Sequence, residues 1–207
     1  APQGALVPRA AATTLDPLGF LVGPVAVHIA ETARRTELRS LDGFVDRRAR
    51  VVKSATSELA WDHGQGLVRL VTARAEGAAG FLARQSPITL GVATLETRLD
   101  YGAFLLVSLD GEPLSRSRRM LLQVMSEAQN TGFATVSAGR VKRIKDVGGP
   151  PIAVRKLGGV LSLRRPDADG LRATALDENG YPVRTSHTLE RGLPLLPTTL
   201  YYVIAAD

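Results

Sequence analysis

The chain has 207 residues, of which 44% are hydrophobic and 22% charged, with a formal net charge of +6 and no Cys. That length and composition allow one sizeable core or two small ones, and we expect one domain. Absence of Cys excludes disulfides and thiolate metal sites but leaves the redox compartment open. No apolar run reaches the roughly 18 residues that a spanning helix needs, so neither a membrane span nor a membrane partner is expected.

Positive charge is carried mostly by Arg, with Lys only at positions 53, 142, 145 and 156. The basic clusters are short: Arg34-Arg35, Arg47-Arg48, 116–119, 140–145 and Arg164-Arg165. Aromatic residues make up 5% of the chain and do not interleave with these clusters. Single-strand recognition pairs charge with stacking platforms, so a solvated face is expected rather than a nucleic-acid partner.

Residues 1–19 are rich in Ala, Pro, Thr and Gly without periodicity and are expected to form a flexible arm or linker. A single all-β domain is expected over 20–207. Val25, Val27 and Ile29 alternate with Ala26 and His28 as a first strand, followed by a charged connection over 31–39. Residues 51–82 hold the only Trp. There Val51-Val52, then 58–62 with Leu59 and Trp61 two apart on one face, then 67–72, read as strands. His63-Gly64-Gln65-Gly66 supplies residues that suit a hairpin turn.

Short apolar runs at 78–83 and 88–92 continue the strand pattern, and 101–109 reads as a central strand buried on both faces that ends in Asp110-Gly111. Residues 119–128 satisfy two periodicities: Met120, Leu121, Val124 and Met125 fit a helical face, whereas position between turn clusters favours a strand. Strand is taken. Further strands are expected within 141–147, 152–157, 159–163, 171–176, 181–185 and 200–204, punctuated by Gly and Pro. Turns at this density predict an all-β, β-sandwich-like antiparallel domain with many short strands.

Several phrases carry a family resemblance. Ser54, Thr56, Glu58, Leu59, Trp61 and Asp62 lead into the glycine turn, and Gly80-Phe81-Leu82 follows; Ser57 and Thr72-Ala73-Arg74 depart from the pattern. A second block spans 108–133, SLDGEPLSRSRRMLLQVMSEAQNTGF, and a third spans 148–154 with 159–163. Together with the closing phrases ALDENGYPVR and LPTTLYYVI, these resemble the C-terminal all-β ancillary domain of bacterial multidomain glycoside hydrolases of the cellulase and β-galactosidase type. The resemblance implies a non-catalytic accessory domain that packs on a catalytic (β/α) barrel domain or chain, or assists binding of a polysaccharide or oligosaccharide. It also implies a secreted or extracellular setting.

Candidate ligand-binding residues follow from chemistry. Trp61, Asp62 and His63 make a sugar-facing set, with the indole stacking on a pyranose and the carboxylate accepting hydroxyls. Tyr101 and Tyr181 offer a second platform. The competing expectation places Trp61 in the core with Leu59, Asp62 and His63 in an ordinary turn, and the tyrosines half-buried in strands. Tyr201 and Tyr202 are adjacent, so in a strand they face opposite ways.

No catalytic residue, metal site or cofactor is expected. His28, His63 and His187 lie in no nucleophile-elbow context and lack zinc spacing. Asp167-Ala168-Asp169-Gly170 lacks the rest of a calcium loop. Gly148-Gly149-Pro150-Pro151 puts prolines where a phosphate cradle needs N–H donors. Two alternatives stay open: a stand-alone polysaccharide-binding protein, and a small glycoside hydrolase. An oligomer also stays open.

Overall fold

The computed structural model describes residues 16–26, 29, 31, 32 and 40–206. The expected terminal arm over 1–19 lies largely outside the described residues, as do much of the strand expected at 25–29 and the connection at 31–39. The chain divides into two compact units, Ala1–Gly64 and Gln65–Asp207.

The first unit contains the short helix α1 (Gly19–Val22) and strands β1 (Val45–Asp46), β2 (Val51–Lys53) and β3 (Leu59–Asp62). β2 pairs antiparallel with β1 on one side and β3 on the other, with Val52 opposite both Val45 and Trp61. Among its described residues only Val22 and Val52 are buried large hydrophobics.

The second unit holds the main core. Its strands are β4 (Leu67–Val71), β5 (Ala75–Gly80), β6 (Ile88–Thr89), β7 (Ala93–Glu96), β8 (Gly102–Ser108) and β9 (Arg119–Ser126). They continue with β10 (Ala128–Thr131), β11 (Ala134–Ala138), β12 (Val141–Asp146), β13 (Gly149–Val154) and β14 (Val160–Leu163). β15 (Leu171–Leu176), β16 (Pro182–Thr188), β17 (Leu193–Pro194) and β18 (Tyr201–Ala206) complete it. One sheet runs β4-β5-β8-β9-β18-β15-β16, and a second runs β17-β14-β7-β6.

The two sheets bury a shared core. Phe104 and Leu106 of β8, Met120, Leu122 and Val124 of β9, and Tyr202 and Ile204 of β18 join Ile88, Ala93, Leu95, Leu161, Leu163 and Leu193 of the smaller sheet. The all-β antiparallel sandwich expected from the turn density is the fold observed. Burial alternates along β8, with Gly102, Phe104 and Leu106 inside and their neighbours half-buried. The expected burial of this strand on both faces is therefore replaced by a one-sided pattern, because only the smaller sheet covers it.

Residues 119–126 resolve as strand: Met120, Leu122 and Val124 all point inward with a period of two. β8 and β18 flank this strand on both sides, so ladder pairing overrides its helical propensity. Other boundaries move by a few residues. The expected run at 78–83 becomes β5 followed by a turn of 3-10 helix at Leu82–Gln85.

Tight backbone geometry fixes the first hairpin of this unit. Gly80 adopts φ 133°, and a Cβ there would lie 2.0 Å from the Gly66 carbonyl oxygen. That carbonyl accepts the Phe81 N–H, and Leu67 sits opposite Gly80 in the ladder. Only glycine fits this approach.

Candidate functional site

The expected sugar-facing set is partly assembled. In the first unit the Trp61 and His63 rings lie 5.2 Å apart, tilted by 47°. Trp61, Asp62 and His63 are all half-buried, and Leu59 is exposed. Trp61 is therefore neither a core residue with Leu59 nor a freely presented platform: Val52, opposite it in the ladder, is buried, whereas Leu59 is exposed.

In the second unit Tyr101 immediately precedes β8 and is exposed. Its ring meets Phe81 edge-on at 5.5 Å, and the Arg84 guanidinium lies 4.0 Å from the Phe81 ring centroid. Tyr181 sits in the turn before β16, is 69% exposed, and donates its N–H to Asp177 Oδ1. β8 and β16 are separated by β9, β18 and β15, and four strand spacings put Tyr101 and Tyr181 roughly 19 Å apart across the sheet. They do not form one platform. Tyr202 is fully buried and accepts the Leu196 N–H at 2.7 Å, while Tyr201 is half-buried on the opposite face. Burial pushes the Tyr202 phenol above its ordinary pKa.

A cleft of about 770 Å³ opens over the run 96–100 and the run 155–160. Glu96 and Asp100 bring carboxylates to it; Arg98, Arg155 and Lys156 bring cations; Ala83, Leu99 and Leu157 supply apolar wall. Arg155 is held by an ion pair to Glu127 at 2.5 Å. Thr97, buried in the wall, donates its hydroxyl to the Gly158 carbonyl at 2.6 Å and so ties the two sides together. Gly159 has φ 143°, and a Cβ there would lie 2.4 Å from the Glu96 carbonyl oxygen, so the two walls can approach this closely only at a glycine.

Sequence reasoning missed this cleft. Its polar residues come from segments some 60 positions apart, and no local motif links Glu96 and Arg98 to Lys156. The one available signal was the exposed Tyr101 beside Asp100.

Several acids that might suggest chemistry are structural. Glu76 is buried, and its two oxygens accept the N–H groups of Val92 and Ala93 at 2.7 to 2.9 Å. Asp167 is pulled below its ordinary pKa chiefly by hydrogen bonds from Arg165, whose buried guanidinium also donates to the carbonyls of Leu114 and Ser117. At Asp110 burial pushes the pKa up, but hydrogen bonds from Ser108, Ser117 and the N–H groups of Arg118 and Glu112 outweigh it and hold the carboxyl well below its usual range. The expected turn at Asp110-Gly111 is thus locked by its own carboxylate.

No protein-family model, curated protein or solved structure matches the chain.

Proposed function

We propose that the chain is a non-catalytic β-sandwich accessory domain of a carbohydrate-active enzyme, and that it engages a glycan at the cleft over 96–100 and 155–160. The observation that carries the binding half is the cleft itself. Carboxylates, cations and apolar wall converge there, and Tyr101, whose ring meets Phe81, directly follows the lining residue Asp100 in the chain. Pyranose recognition uses that combination: an aromatic face for the C–H surface of the ring, and charged or amide groups for the hydroxyls. The accessory half rests on the phrases at 54–62, 108–133 and 148–163.

Isothermal titration of the chain with a panel of neutral and acidic polysaccharides tests the reading. Heat with at least one glycan, weakened about tenfold by Tyr101→Ala as expected for loss of one stacking platform, is the supporting result. Absence of heat with every glycan would remove the binding half. Release of reducing sugar by the isolated chain, lost in Glu96→Gln, would overturn the non-catalytic half.

A further inference from the structure

Besides the cleft, the end of the sandwich that carries it has two features which glycan binding leaves unexplained. The first is a β-ribbon over 128–154, in which β10 pairs with β13 and β11 with β12. Nearly every side chain along it is exposed. Those side chains include Val141 at 66%, Ile144 at 56% and Ile152 at 66% exposure.

Register sets the composition of each ribbon face. Val136, Ala138 and Val141 share one face with Arg143, and Lys142 shares the other with Ile144. Arg140 and Lys145 add two more cations, against the single carboxylate of Asp146. An isolated two-stranded ribbon is marginally stable in water, and aliphatic side chains exposed on both faces mark a surface that is covered in use.

The second feature is a groove of about 450 Å³. Leu176, Val183, Leu196, Pro197, Leu200 and Tyr201 form its apolar wall, and Asp177 and Glu178 stand with them. No Lys or Arg occurs among its described lining residues. In charge and in apolar character the groove is the complement of the ribbon.

Topology places the two side by side. β9 runs directly into β10, the Val124 N–H donates to the Leu200 carbonyl, and Leu157, just after the ribbon, donates its N–H to the Pro197 carbonyl. The ribbon is thus rooted at the lip of the groove. Its exposed side chains show that it does not fill the groove beside it. A strand of its length reaches roughly 35 Å, far enough to cross the matching end of a neighbour.

We infer that two copies of this chain meet end to end and exchange ribbons, each laying its basic, aliphatic β11–β12 portion into the acidic, apolar groove of the other. The same patch then faces itself across a two-fold axis, and the assembly closes as a dimer. Nucleic acid is the less fitting occupant: Phe133 is the ribbon's one aromatic, and aliphatic side chains project from both faces.

Sedimentation velocity over a concentration series, at low and high salt, tests this on the intact chain. A reversible dimer that weakens with salt is expected. The exposed triple variant K142E/R143E/K145E should raise the dimer dissociation constant about tenfold or more, as reversal of charge across an interface does. E178K should weaken it in the same direction, and combining E178K with the triple variant should recover part of the loss. Asp177 is left intact because its carboxylate holds the turn by accepting the N–H groups of Asn179 and Tyr181.

Far-UV circular dichroism checks that each variant is folded. A chain that stays monomeric at every concentration overturns the proposal, as does a dimer indifferent to the ribbon charges. Failure of the combined variant to recover overturns the pairing of ribbon with groove. A monomer whose ribbon charges serve only to bind added duplex DNA would also overturn it.

Discussion

Glu76 shows how a single side chain can organise two segments of this fold. Its buried carboxylate receives the N–H groups of Val92 and Ala93, and the space it occupies is available because residue 91 is glycine: a Cβ there would lie 2.3 Å from Glu76 Oε1. Glu76→Ala leaves two inward N–H groups without an acceptor, and a loss of about 2 kcal/mol is expected from urea denaturation. Asp110 makes a pH prediction. Its folded pKa lies below its unfolded value, so its contribution is complete above the unfolded pKa of about 3.9 and is lost as pH falls toward the folded value. Urea midpoints measured below about pH 4 should therefore decline, and more shallowly in Asp110→Asn than in the parent chain.

At the scale of elements, β8 and the β4–β5 hairpin set the geometry of the core and of the site above it. Leu106 is fully buried at the centre of β8. Leu106→Ala should cost about 3 kcal/mol in denaturant stability, because a rigid sandwich collapses little around the cavity. Gly80→Ala forces a side chain onto the Gly66 carbonyl at a positive φ, and a loss of more than about 1 kcal/mol is expected from thermal melting. β8 and β4 were legible as strands because each combines β-branched, aromatic or other apolar residues with a bounding turn. β5 was legible only from Ala78 on, since its Ala and Gly residues and the turn at 72–74 carry little local signal. β9 was legible less directly. Its apolar residues fit two periods, and the strand is selected by ladder bonds to β8 and β18 that no local window contains.

Across the whole molecule, the main core lies in the unit that begins at Gln65, whereas the only Trp lies in the unit that ends at Gly64. Trp61 emission therefore reports the unit with few buried hydrophobics, and far-UV circular dichroism reports chiefly the strands of the other. The fluorescence transition should fall at lower denaturant concentration than the dichroism transition. Coincident curves would show instead that the two units unfold as one cooperative body. The notional single domain from Phe20 onward becomes a measurable question of cooperativity.

The sequence by itself determined the strand-and-turn grammar of the chain. Gly66, Gly111 and Gly180, all at positive φ, lie in turns that their local residues announce. The opposite facing of Tyr201 and Tyr202 follows from a period of two. Only tertiary structure decided which strands form each sheet, because pairing depends on partners far away in the chain. It also set the distance between Tyr101 and Tyr181, and it brought residues 96–100 against 155–160 to make the cleft. The ribbon at 128–154 is the clearest case. Its strands are as legible as those of the sandwich, yet neither face is buried and aliphatic residues fall on both, because a strand's local sequence does not decide whether a second layer will cover it.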